Sequence, residues 1–248
     1  MKILVCISSV PDTTSKINFT ADKSAFDKNG IQWVINPLDE FALTKAVKLQ
    51  ESQGATVTVV NVGDAGTEAV IRKALAIGAN DAVRVNAEAK DSFSVAKEIA
   101  KVAQDGGYDL ILTGKESIDY NGGAVPGMVA QLLNIPFVNA SVGLDVNGSE
   151  ATVVREIEGG KETISVKLPA VVAGQKGLVD EKDLIIPNMR GIMSARTKPL
   201  QVVEPSNSEV KVEAVSFDSV APRAAVKLVS ADNLDELVRL LHEEAKVI

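Results

Sequence analysis

The chain has 248 residues, 46% of them apolar, and a net charge of −7. That length and composition support one large α/β domain, or one domain with a substantial extension, around a sizeable core. Overall acidity argues against nucleic-acid binding, the lack of a long apolar run argues against membrane insertion, and a lone cysteine, Cys6, excludes an internal disulfide or a cysteine metal cluster.

The N-terminal MKILVCISS reads as a first strand rather than a signal peptide, and a cytoplasmic location fits. Ile3 to Ile7 is a continuous apolar run, as expected of a strand buried on both faces. Thr56 to Val60, Ala82 to Val85 and Leu110 to Leu112 repeat the theme. Between the first two lies a long segment, 8–36, which reads as a loop with two short extended pieces joined around Asn29-Gly30; loops this long are usually functional or mobile. Leu38, Phe41, Ala42, Ala46 and Leu49 then fall at helical spacing, with Asn36 as the expected cap, Pro37 at the first position and Asp39 in the first turn. Val70, Ile71, Ala74 and Leu75 mark a second helix ending at Gly78. Phe93, Ala96, Ile99, Ala100 and Ala103 mark a third, ending at Gly106-Gly107. Strands alternating with helices predict an open, mostly parallel sheet with right-handed crossovers.

After Pro136 the pattern turns to apolar–polar alternation, with a turn at Glu158-Gly159-Gly160-Lys161, which predicts a hairpin added to the sheet edge. Residues 174–200 read as irregular. Residues 201–248 have little core of their own and one helix, capped near Ser230 or Asp232, with Leu234, Leu237, Val238 and Leu241 on one face. The expected organisation is a domain over 1–200 and an arm over 201–248.

Ligands of open parallel sheets bind at the carboxyl ends of the strands. Three loops leave such ends here: Cys6-Ile7-Ser8, Val62-Gly63-Asp64, and Gly114 through Gly123 into a helix from Ala124. Two glycines before a helix let backbone amides face outward towards an anion such as a phosphate. No GxGxxG or GxxxxGK[ST] is present, and Gly122-Gly123 alone reads as a plain tight turn; three converging strand ends favour a nucleotide. Catalytic patterns are scarce. His242 reads as a surface residue, Cys6 as a buried small hydrophobe, Asp39 and Glu40 as helix-start residues, and Arg190, Arg196 and Lys198 as a solvated basic cluster. No metal-ligand spacing or nucleophile elbow occurs, so a binding or carrier protein is expected rather than an enzyme.

The stretch Val153-Val154-Arg155-Glu156-Ile157-Glu158-Gly159-Gly160-Lys161-Glu162-Thr163-Ile164, with Lys167-Leu168-Pro169-Ala170-Val171-Val172, resembles the signature of electron transfer flavoprotein beta subunits. ILVCISSVPDT, INPLDEFAL, IRKALAIGAND and LTGKESIDYNGG follow the same order as in that family, so the resemblance covers nearly the whole chain. It implies an adenine-nucleotide-binding, Rossmann-like α/β fold with an added hairpin and a C-terminal arm wrapped on a larger alpha subunit that holds most of an FAD. It also implies AMP in the beta subunit. The contacts carried over are Cys6, Asn36, Pro37, Leu38, Asp39, Val62, Gly114, Lys115, Ile118, Asp119, Asn121, Gly122, Gly123, Ala124 and Val125.

By the same resemblance, Glu156 serves partner interaction, and a docking loop within 175–190 is anchored by Leu178 or Leu184. The implied partners are acyl-CoA and related flavin dehydrogenases and a membrane quinone oxidoreductase. The sequence departs from the family at Gly123-Ala124-Val125, where a polar run such as Asn-Gln-Thr is usual; side-chain contacts to the phosphate are lost there. Two alternatives stay open: a bifurcating relative with a second FAD in the crevice, and a nucleotide-sensing stress-type protein without redox role. An adenylating or ATP-cleaving enzyme is a poorer match, because the loop Ser8-Ser9-Val10-Pro11-Asp12 lacks phosphate-binding character.

Overall fold

A computed structural model describes residues 1–206 and 208–248. In chain order the elements begin with β1 (Lys2–Cys6), β2 (Ser9–Pro11), β3 (Trp33–Ile35), α1 (Pro37–Gln53), β4 (Thr56–Val62), α2 (Glu68–Ile77), β5 (Asp81–Val85), α3 (Ser92–Gly106), β6 (Leu110–Gly114) and α4 (Val125–Leu133). They continue with β7 (Phe137–Asn147), β8 (Glu150–Ile157), β9 (Gly160–Lys167), β10 (Ala170–Gly174), α5 (Met189–Ala195), β11 (Leu200–Val203) and α6 (Leu234–Arg239).

Nine of these strands form one sheet in the order β11-β5-β4-β1-β6-β10-β7-β8-β9, and β2 pairs with β3 separately. The pairings are parallel from β11 to β7 and antiparallel between β7, β8 and β9. Two cores lie against the sheet because side chains alternate along each strand. Ile3, Val5, Leu110, Leu112, Ala170 and Val172 join the core with α1 and α2. Leu4, Cys6, Ile111 and Val171 join the core with α3 and α4.

The four predicted strands, the first three helices and the stops at Gly78 and Gly107 are present. The two short extended pieces of 8–36 are β2 and β3, antiparallel through Val10 and Val34, but they are joined by the whole of 12–32 and not by a turn at Asn29-Gly30 alone, because a second small hairpin lies between them. Gly159, at φ +84°, closes the β8–β9 hairpin at the sheet edge.

Several local expectations are corrected. Asn36 stands at the N-terminus of α1, but its side chain does not cap it. The tail helix is capped by Asn233, whose side chain accepts from the Glu236 amide, because Asn233 is the residue directly before the first turn. Residues 174–200 contain α5, capped by Asn188. Leu200–Val203 is a strand paired with β5, so the sheet continues past residue 200. The alternating stretch after Pro136 also ends in a separate fully buried strand, β10, inserted between β6 and β7.

The described residues divide into two compact units. One comprises 1–17 and 28–215 and holds the sheet; the other comprises 18–27 and 216–248. Among the described residues no helix is long and apolar enough to cross a membrane.

Candidate functional site

From β1 the chain passes to β4 and β5 on one side, then returns to β6 on the other side of β1. The carboxyl ends of β1 and β6 therefore flank the topological switch point, where open α/β sheets bind ligands. Asp39, in the first turn of α1, spans this point. Its two carboxylate oxygens accept from the Ser8 amide after β1 and the Gly114 amide at the end of β6, each at 2.8 Å. Asp39 is 4% exposed. Burial pushes its carboxyl up to about 7, against the opposing pull of hydrogen bonds from Ser8, Asn36 and Gly114. Cys6 is buried beside it; burial, and then the Asp39 charge, push its thiol well above the usual range.

Asn36 ties the second loop to the first. Its amide nitrogen donates to the Glu116 carbonyl at 2.9 Å, and its oxygen accepts from the Ile118 amide. This use of the side chain is why it is not available to cap α1. Gly114 is required sterically: a Cβ there would collide with the Asp39 carboxylate and come within 2.9 Å of the Leu38 Cβ.

The loop from Lys115 to Ala124 closes on itself. The Ser117 and Gly122 amides exchange bonds with each other's carbonyls at 3.1 and 3.3 Å, and Asn121 turns the tip at φ +50°. Asp119 accepts from the Ser117 hydroxyl and from the Tyr120 amide. The Gly122 amide is thus consumed inside the loop rather than facing outward, contrary to the sequence expectation, because the Ser117 carbonyl across the turn satisfies it. The Lys115 amide donates to Gly174 of β10 at 2.7 Å. Ala124 precedes α4 without a side-chain cap, and Val125 opens that helix.

Cys6, Asn36, Asp39, Gly114 and the 116–118 segment are thereby brought together. Pro37 and Leu38 sit in the same first turn of α1, and Val62 ends β4 on the far side of β1. The sequence patterns single out neither Asn61 nor Thr113. Asn61 is 3% exposed and donates to the Ile7 carbonyl at 2.9 Å, which braces β4 to β1. Its side-chain oxygen and the Thr113 hydroxyl are buried without a partner at the ends of β4 and β6. A polar residue closing an apolar strand, as in TVTVVNV, was the available signal.

The residues expected to dock a partner fall into two places. Glu156, near the end of β8, hydrogen-bonds Gln175 just past β10. Leu178 is buried against Gly174, and Leu184 packs partly buried on the same core. The strongly exposed apolar side chains in this region are instead Ile186, at 84%, Met189 and Met193. Their chain neighbours Pro187 and Ile192 help line a groove of about 560 Å³ between α2 and α5, together with Glu68, Arg72 and Arg196.

The basic cluster is only partly solvated. Lys198 donates to the Leu75 and Ala79 carbonyls at 2.9 and 2.6 Å, and burial lowers its amine's affinity for protons. It is a cap for α2 rather than a solvated charge, because the chain turns back over the end of that helix to enter β11. Among the described residues no group of His, Cys, Asp and Glu could hold a metal ion.

Residues 24–208 match the family model described as electron transfer flavoprotein domain. The chain is 35% identical over its full length to the electron transfer flavoprotein subunit beta of Bacillus subtilis, covering all of that protein. It is 34% identical to the subunit of that name from Syntrophomonas wolfei, over 91% of this chain and 88% of the relative. It is 31% identical to the human one, over all of this chain and 99% of the relative.

Proposed function

The chain belongs to the beta-subunit family of electron transfer flavoproteins, and from that membership we propose that it is the nucleotide-binding half of a heterodimeric electron carrier. In this reading an alpha subunit holds most of an FAD. Electrons arrive from acyl-CoA and related flavin dehydrogenases, as in fatty acid oxidation, and leave to a membrane quinone oxidoreductase. Bound FAD supplies the redox chemistry; the residues of this chain bind, position and dock.

The observation that carries the reading is the Asp39 bridge. A carboxylate that receives amides from both sides of the switch point holds two loops open to a ligand at a fixed spacing. A group so fully engaged by backbone serves architecture rather than turnover. An AMP fits this site through backbone groups. The first turn of α4, with no side-chain cap, favours the phosphate end. Gly123, Ala124 and Val125 offer no side-chain donors, so the phosphate is held by backbone amides and the helix dipole.

Docking is assigned to Glu156 and to the exposed apolar edge at Ile186 rather than to Leu178, which is buried within this chain. An exposed isoleucine beside a shallow groove suits a small, quickly reversed redox interface.

The test is to co-purify the chain with its partner and count released nucleotides. One FAD and one AMP per heterodimer is the expected result; two FAD would move the chain to the bifurcating class. Anaerobic reduction by a flavin dehydrogenase should slow at least tenfold in Glu156→Ala and Ile186→Asp at unchanged FAD content. Rates equal to wild type in both variants would reject the docking assignment.

A further inference from the structure

Residues Asn18–Asp27 and Ser216–Ile248 form a compact unit of their own. The first part is a small hairpin. The Asp27 amide donates to the Asn18 carbonyl and the Thr20 amide to the Ala25 carbonyl, both at 2.9 Å, and Phe19 pairs with Phe26. Its turn is fixed by Asp22, whose carboxylate accepts from the Thr20 hydroxyl at 2.6 Å and from the Ser24 hydroxyl at 2.9 Å.

The start of the arm is fastened to this hairpin by three different interactions. The Phe217 ring stacks on Phe19 with centroids 5.3 Å apart and planes 21° from parallel. The Phe217 amide donates to the Lys23 carbonyl at 2.9 Å. The Lys23 ammonium meets the Asp218 carboxylate at 2.5 Å, in solvent, where an ion pair contributes little. The stacked rings are therefore the principal fastening. Further along the arm, Val220, Val226, Leu228 and Val238 remain exposed. Within this unit the arm is held at its root, and these four side chains stay exposed.

We propose that the hairpin 18–27 is the anchor of the C-terminal arm, and that the Phe19–Phe217 clasp is a positioning device for capture of the second subunit. The occupant of the arm's apolar side chains is that subunit, so the proposal rests on the heterodimer reading above. An arm free at its root would lose its whole conformational freedom on binding. One fixed at residues 216–218 reaches the partner at raised effective concentration and loses less. The clasp is made within this chain, so its two rings act as a pair and neither needs to touch the partner.

The experiment is a dissociation measurement on the purified, FAD-loaded heterodimer carrying Phe19→Ala, Phe217→Ala, both, or Phe217→Tyr. Each alanine variant should raise the heterodimer Kd about tenfold, the double variant no further than either single, and Phe217→Tyr should stay within about twofold of wild type. Protease should cut the arm near residue 216 faster in the alanine variants. Unchanged Kd in the single variants, or losses that add in the double, would overturn the proposal while leaving the carrier reading in place. A wild-type chain that recruits no second subunit removes the carrier reading itself, and the anchor with it.

Discussion

Asp39 shows how one side chain can determine a site. Ionised, it offers an acceptor to each of two amides; protonated, it resembles asparagine, with one acceptor and one donor group. Burial pushes its carboxyl to about 7, well above the unfolded value of about 3.9. Between those values the folded state binds a proton that the unfolded state has released, so stability from this group is present at low pH and is lost as pH rises to 7. Asp39→Asn removes that dependence. Urea unfolding at pH 5, 6, 7 and 8 should show the balance moving in favour of the variant by up to about 1.4 kcal/mol per unit, then levelling above 7. Parallel pH profiles would show an ordinary carboxylate. The neighbouring Gly114→Ala tests the same geometry sterically. Its Cβ meets Asp39 and Leu38, and the overpacking should cost about 1–3 kcal/mol in unfolding free energy and displace the bridge.

At the scale of elements, α2 and α5 depend on cations rather than on a shared apolar face alone. Lys198 closes the end of α2, and Arg72 of α2 donates to the Ala195 and Lys198 carbonyls at 2.9 Å each. Lys198→Met keeps the aliphatic stem but leaves two carbonyls without their donor, and should lower stability by about 1–3 kcal/mol in urea. The groove between the two helices should loosen with it, which slower dehydrogenase reduction at unchanged FAD content would report. The segment after β11 is fixed by carboxylates on the other side of the sheet. Glu98 accepts from Ser206 and Ser208, and Asp91 accepts from the Lys211 and Val212 amides. Neither helix capping by a distant lysine nor a strap on α3 has a local sequence pattern.

For the whole molecule, these contacts set where a truncation becomes informative. Removing 201–248 would take away β11, its pairing with β5, and the strap on α3, so lost assembly would be confounded with damage to the sheet. Removing 216–248 leaves all of them. The shorter truncation should lose only the helical signal of α6 and the turn after it, and keep a melting temperature within a few degrees of the full chain, while losing the second subunit on size exclusion. A stable heterodimer of the truncated chain would show that the arm is dispensable.

The sequence by itself determined the alternation of buried strands and amphipathic helices, the glycine stops, the hairpin turn and the signature around Glu156, because each is carried by residues close together in the chain. It also led to the three strand ends of the candidate site. The use of those residues was decided only by tertiary structure. Asn36 left its helix to hold a loop 80 residues away, Asp39 joined two strand ends, Gly122 spent its amide inside its own loop, and Leu178 turned inward where Ile186 turned out. Local patterns record which face of an element is apolar. They do not record which distant backbone group a polar side chain will satisfy, since that partner exists only once the sheet has brought the ends of β1 and β6 side by side.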